Sequence, residues 1–402
     1  MRKKIEQLFP KMVQWRRYFH QYPELSYQEK NTSTYIATFL KELNLEVHTG
    51  IGGYGVTGLL RGKEAGPVVA LRADIDALPI QDEKKCEYRS QVPGIMHACG
   101  HDGHMATLMG AATILAEEVD RLKGQVLFIF QPAEEKPPGG AIQMIREGVL
   151  ESVDVIYGMH LWTPFPLGMI GTRPDEIMSA SDEFNITIRG RGGHGGIPHT
   201  AIDTVVIASH LVVNLQTIVS RQIDPLQAGV ITVGMIKGGS TFNVIADTCT
   251  LTGTVRTFKP EIRKMLVERI EEVVKNTCQM YGADYQFEYV YGYPSVINHG
   301  DEAKRVMKVA KMIVNEQQVQ TISPLMPGED FAYYLQERPG AFYFVGAGNA
   351  EKQITYPHHH PLFDIDERAM KIGAELFVNL VWDYIDQYAG SRRDERNKLG
   401  NL

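Results

Sequence analysis

Near-continuous apolar runs at residues 67–71, 125–130 and 153–157 alternate with helical patterns at 5–19, 27–43 and 105–121. Strands that are apolar on both faces and separated by helices belong to a largely parallel sheet covered on both sides. From residue 184 the order changes. Strands are predicted at 184–188, 229–236, 249–255 and 285–291, with helices at 201–220 and 261–280. This β-α-β-β-α-β order is the split arrangement of ferredoxin-like domains. The first order then returns, with a helix at 302–317, a strand at 342–345 and a helix at 366–388. The fold class expected is therefore α/β. Residues 1–180 and 296–402 form a domain with a mixed, largely parallel sheet, and residues 181–295 form an inserted ferredoxin-like α+β domain. The polar tail after Gly390 is expected to fray.

A chain of 402 residues with 44% hydrophobic and 22% charged residues buries a large core without staples. Its net charge of −7, with no basic block, argues against nucleic acid and anionic membranes as partners. The four cysteines (Cys86, Cys99, Cys249 and Cys278) are widely spaced and form no CxxC. That pattern does not suit a secreted disulfide framework. The charged start, Met1-Arg-Lys-Lys, leads into no apolar signal segment, and no uncharged apolar run approaches the ~18 residues of a membrane span. A cytoplasmic location is expected.

The densest chemical signal is His97-Ala-Cys99-Gly-His101-Asp102-Gly-His104, in which five of eight residues can bind a metal or move protons. It lies just before the helix at 105–121. Three predicted strands also run into polar residues: 68–71 into Asp74 and Asp76, 126–130 into Glu134-Glu135, and 153–157 into His160. In open α/β sheets, ligands bind beyond the carboxyl ends of the strands. Thiol, imidazole and carboxylate groups are thus expected to converge on one rim. The set suits zinc, manganese, nickel or cobalt rather than calcium. A solvated loop pair would explain Glu134-Glu135 taken alone. Beside such ligands, one carboxylate binds metal while its neighbour takes a proton from water acidified by the metal.

These residues resemble the di-metal aminoacylase/carboxypeptidase superfamily, in its amidohydrolase branch of hippurate hydrolases, N-acyl-amino-acid amidohydrolases and auxin-conjugate hydrolases. The likeness runs from Arg17-Tyr-Phe-His20-Gln-Tyr-Pro-Glu24 through Ala70-Leu-Arg-Ala-Asp-Ile-Asp76 and Met96-His-Ala-Cys-Gly-His-Asp-Gly-His104. It continues through Gln131-Pro-Ala-Glu-Glu135, Gly158-Met-His160, Gly192-Gly-His-Gly195, Gly328-Glu-Asp-Phe331 and His359-His-Pro-Leu-Phe-Asp364. It implies a catalytic α/β domain with an inserted lid and dimerisation domain, in a homodimer or higher homo-oligomer. It implies two divalent ions per subunit held by Cys99, His101, Glu135, His160 and His359, with Cys99 bridging. His359 is chosen because the branch carries His-x-Pro-x-Phe; His358 and His360 stand one register step away. Glu134 matches the general base, and Asp76 an acidic residue that supports a ligand histidine. His194 matches a histidine that stabilises the oxyanion, often from the partner subunit. Asn243 and Arg256 match substrate contacts, and a guanidinium suits a free α-carboxylate. The implied substrate is an N-acyl amino acid or a small peptide, as in a dipeptidase or carboxypeptidase.

Two rivals remain on the sequence alone. Gly50-Ile-Gly52-Gly-Tyr-Gly55 and Gly190-Arg-Gly192-Gly-His-Gly195 match the dinucleotide pattern G-x-G-x-x-G. The first leads into a predicted strand, not a helix, and the second holds a histidine within a ferredoxin-like order, so glycine-rich turns are expected at both. The other rival, a non-catalytic metal-binding protein, needs no base such as Glu134.

Overall fold

The computed structural model describes the backbone of residues 1–399 and the side chains of residues 1–388; the side chains of the tail expected to fray lie outside the described residues. The chain divides into two compact units. One comprises Met1–Ile177, Ile297–Ser323 and the chain from Asp330 onward; the other comprises Met178–Val296 and Pro324–Glu329.

The first unit is built on an eight-stranded mixed sheet. Its order is Glu46–Ile51, Gly55–Arg61, Lys123–Gln131, Glu64–Asp74, Val155–Pro166, Gly340–Gly348, Ile170–Thr172 and Val319–Thr321. The four central strands, from Lys123–Gln131 to Gly340–Gly348, run parallel, while antiparallel pairings join Glu46–Ile51 and Gly55–Arg61 to one side. Gly340–Gly348 is buried along its whole length, as expected of a strand covered on both faces.

The helix His101–Glu117 lies in the core. Its Ala, Met, Leu and Gly residues are apolar all round, and fourteen of its seventeen residues are buried. Such a helix needs cover on every side. Its residues join one core cluster with Met12 and Trp15 of Arg2–Gln21, the sheet residues Leu71 and Phe128, and Met370 and Phe377 near the carboxyl end.

Several sequence expectations shift in position. The strand expected to end at residue 157 continues to Pro166. His160 is therefore inside a strand, paired in register with Phe344. On the other side, pairing with Glu64–Asp74 stops at Arg72↔Gly158, so His160 faces a gap in the ladder. The helix expected at 302–317 is Gly300–Ala310 and closes in turns, with Ile313 N–H donating to Ala310 O. Gly50–Gly55 is the hairpin between two strands, with positive φ at Gly50, Gly52 and Gly53. It does not open a helix, so it is not a dinucleotide loop.

The second unit contains a four-stranded antiparallel sheet in the order Gly229–Gly238, Thr248–Thr257, Ala180–Arg189 and Asp284–Val290. Ala180–Arg189 alternates buried and less buried residues. Its Phe184, Ile186 and Ile188 pack with Leu211 and Leu215 of Thr204–Gln222 and with Leu266 and Ile270 of Pro260–Met280. Asp203 caps the first helix, accepting from the N–H groups of Val205 (3.0 Å) and Val206 (3.2 Å), which starts it at Thr204 rather than at 201. By length and composition this helix is also apolar enough to cross a membrane, but its Ile207, Leu211, Leu215 and Ile218 face lies in this core.

Candidate metal centre

Strand Glu64–Asp74 delivers Asp74 to the rim, where its two oxygens are both engaged. Oδ2 accepts from Arg72 at 2.7 Å, and Oδ1 accepts from His104 Nδ1 at 2.7 Å. The other ring nitrogen of His104 accepts from the Leu161 N–H at 2.9 Å. His104 is therefore fully hydrogen-bonded as a neutral imidazole and serves as a strut between two strands. Asp102 is held through one oxygen, its Oδ2 accepting from Arg16 (2.8 Å) and pairing with His20 (2.7 Å).

The remaining polar residues of the cluster point elsewhere. Gly100 adopts φ +91°, which lets the chain turn sharply between Cys99 and His101. Gly103 brings the helix close to the sheet, since a Cβ there would lie 2.6 Å from Leu161 Cδ1. His101 Nδ1 lies 2.9 Å from the Asp76 carbonyl oxygen and 3.3 Å from its Oδ1. Asp76 Oδ2 in turn accepts from Ser26 Oγ (2.7 Å) and from the Glu135 N–H (2.9 Å). One carboxylate thus fixes both the ring of His101 and the backbone of Glu135. His101 Nε2 faces Glu135 Oε1 at 3.8 Å and Glu134 Oε2 at 3.9 Å.

Cys99 Sγ lies 3.4 Å from His160 Nε2, and His160 donates its Nδ1–H to Leu161 O at 2.9 Å, which turns the Nε2 lone pair toward the thiol. Two of the groups of possible ligand atoms contain Cys99. Cys99, His101 and Glu135 form one, and Cys99, His160 and His358 the other, with the atoms of each group within 4.8 Å of one another. Cys99 is common to both, as a bridging ligand must be.

Of the sequence-predicted ligands, Cys99, His101, Glu135 and His160 come together. His359 lies on the side of the first group, with Nε2 3.3 Å from Glu135 Oε1 and its side chain 51% exposed. His358 takes the place beside His160, half-buried and stacked on Trp162 at 4.4 Å between ring centroids. His359 has φ +64°, so the chain reverses there and consecutive histidines face opposite ways. Metal content separates their roles: replacing a true ligand lowers bound metal by about 10-fold or more at limiting metal, and replacing a neighbour leaves it near wild type. His358→Ala and His359→Ala, assayed side by side by elemental analysis, are expected to differ in this way, with His359→Ala the depleted variant.

The electrostatics suit cations. Burial disfavours a charged His101, but the carboxylates of Asp74, Asp76 and Glu135 outweigh it and raise the group to about 10. Burial, with Glu135 and Glu134, pushes the Cys99 thiol well above its usual range, so ionisation there needs a countercharge. His101 Nε2, Glu135 Oε1 and His358 Nδ1 are buried without a hydrogen-bond partner. Such atoms are costly unless something binds them. Tetrahedral zinc sites place donor atoms roughly 3.4–3.7 Å apart, close to the 3.4 Å of Cys99–His160 and the 3.8 Å of His101–Glu135. The residues fit a divalent metal pair.

In the second unit, His194 lies in a two-residue strand, Gly193–His194, paired with Val244–Ile245. Its Nδ1 accepts from the Gly196 N–H at 3.0 Å. His194 and Asn243 line one cavity of about 570 Å³, together with Gly239 and Asp247. Arg256 is not among that cavity's lining residues. It is half-buried on Thr248–Thr257, hydrogen-bonded to Thr254 Oγ1 and to Val255 O, and burial lowers its pKa.

A family model described as peptidase family M20/M25/M40 matches residues 70–383. The chain belongs to this family. It is therefore a hydrolase, which excludes the oxidoreductase and storage rivals. Bacillus subtilis YhaA, whose name places it among amidohydrolases, is 48% identical over 382 residues, covering 95% of this chain and 96% of that one. The N-acetyl-L-cysteine deacetylase of the same organism is 40% identical over 376 residues, covering 93% and 88%. Among solved structures, the Bacillus subtilis YXEP protein, described as a dinuclear metal-binding peptidase of the M20 family, matches with a TM-score of 0.83 at 34% identity, covering 95% of this chain and 99% of that one.

The resemblance implied that Asp76 supports a ligand histidine, and its Oδ1 lies 3.3 Å from His101 Nδ1; its second contact, accepting the Glu135 N–H, had no signal in the sequence.

Proposed function

We propose that this M20 hydrolase cleaves the amide bond of N-acyl amino acids, releasing a carboxylic acid and a free amino acid. The observation that carries the reading is the buried convergence of Cys99, His101, Glu135 and His160 with Glu134 3.9 Å from His101 Nε2. The ligands proposed for two divalent ions are Cys99, His101, Glu135, His160 and His359. When bound, the ions supply Lewis acidity, acidifying water and polarising the scissile carbonyl.

The chain's own groups do the rest. Glu134 takes the proton of the attacking water and returns it to the leaving amine. Asp76 keeps His101 and Glu135 oriented. His194 holds the developing oxyanion from the second unit. Asn243 contacts the substrate beside it, and Arg256 receives the α-carboxylate. Arg256 has no carboxylate ion-pair partner among the described residues, which supports a ligand anion as its partner.

The inserted domain expected at 181–295, which lies within the second unit, is proposed as a ferredoxin-like lid and dimerisation domain flanked by the catalytic segments 1–180 and 296–402. Its strand order and helix placement support the first part. Exposed Val213 (65%) on Thr204–Gln222, and Met235 and Ile236 on the edge strand Gly229–Gly238, support the second. Four free cysteines support a reducing, cytoplasmic location.

A screen of acetyl, benzoyl, indole-acetyl and succinyl amino acids, with dipeptides as a second arm, tests the function. At least one N-acyl amino acid is expected to be cleaved in a metal-dependent way, with activity abolished by chelation. Exclusive turnover of dipeptides would shift the reading to a dipeptidase.

A further inference from the structure

Glu29 is fully buried, yet among the described residues no cationic side chain pairs with it. It directly precedes the helix Lys30–Glu42 but does not cap it with its side chain. A buried carboxyl in that state is costly unless it satisfies something else. Its Oε1 accepts from the Ala133 N–H at 2.8 Å. Ala133 is buried and has φ +54°, a left-handed conformation uncommon for a residue with a Cβ. The next residue is Glu134. The turn is held by two outside carboxylates, Glu29 on the Ala133 N–H and Asp76 on the Glu135 N–H.

We propose that Glu29 is a positioning residue for the base: by accepting the Ala133 N–H it locks the left-handed turn that aims Glu134. The inference rests on the reading of Glu134 as the base. Burial and the neighbouring Asp76 carboxylate raise Glu29 to about 7; independently of its charge, a glutamine amide oxygen can accept the same Ala133 N–H.

The test measures kcat, KM and bound metal in parallel for E29A, E29D, E29Q and E134Q, using the best N-acyl amino acid from the screen. Glutamine keeps an acceptor at the same reach, alanine removes it, and aspartate withdraws it by one methylene. E29A and E29D are expected to keep wild-type metal content and a KM within about threefold, while kcat falls about 10–100-fold. E29Q is expected within about threefold of wild type on the same scale. If E29A does not fold, the contrast of E29D with E29Q decides. Wild-type kcat in E29D, an E29Q as slow as E29D, or metal lost in step with kcat overturns the inference. If E134Q is slow while the Glu29 variants are not, the inference alone fails. If E134Q itself keeps wild-type kcat, the base assignment fails and takes the inference with it.

Discussion

Glu134→Gln is expected to keep the full metal complement and lose about 10²–10⁴-fold in kcat, the range contributed by a positioned general base. At 1.36 kcal/mol per tenfold, that is about 3–5 kcal/mol of transition-state stabilisation. The amide occupies the same space as the carboxylate, so packing of the 9%-exposed side chain is retained. The proposed donors are Cys99, His101, Glu135, His160 and His359, and the substitution removes none of them. KM is expected to change far less than kcat, because the base acts in the transition state rather than in substrate binding. The adjacent substitution Glu135→Gln sharpens the contrast, since it depletes metal as well as rate. Steady-state kinetics with elemental analysis of the same preparations checks the point. A Glu134→Gln enzyme within threefold of wild type removes Glu134 from the base role.

The rim was legible in the sequence because its signal is physical. Strands buried on both faces read as apolar runs, and a polar residue at the end of such a run has to be used. Asp74 and Glu134 stand out for that reason. His160 was found by the same signal, although its strand continues past it to Pro166. There the ladder partner stops at Gly158, a tertiary fact with no trace in local pattern. The triple histidine is hard to read for a different reason. Residue order carries no facing information where φ turns positive, and His359 at +64° reverses the chain between His358 and His360. Gly50–Gly55 shows the converse error risk: three glycines at positive φ make a hairpin that shares its spacing with a phosphate loop. Glu29 was invisible because a glutamate ahead of a helix ordinarily faces solvent at the helix start. Only the fold brings Ala133 over it.

Cys99→Ala is expected to cost both ions at once, because Cys99 alone belongs to both ligand groups. Without Cys99 one side keeps His101 and Glu135 and the other keeps His160, below the count that dedicated sites use. Without metal the substitution is mild. It removes a buried neutral thiol that burial, Glu135 and Glu134 hold protonated, and small truncations of this kind cost on the order of 1 kcal/mol. With metal the difference is large. An ion present at 1,000 times its Kd stabilises the folded state by about 4 kcal/mol, and two ions by about twice that. Melting in metal and in chelator therefore separates the effects. Wild type is expected to lose its metal-dependent increment in chelator and to melt within a few degrees of Cys99→Ala. In metal the mutant gains almost nothing, binds less than one ion per subunit and is inactive. A mutant that still binds two ions, or whose melting responds to metal as wild type does, would take Cys99 out of the bridging position and leave His101–Glu135 and His160 as separate sites.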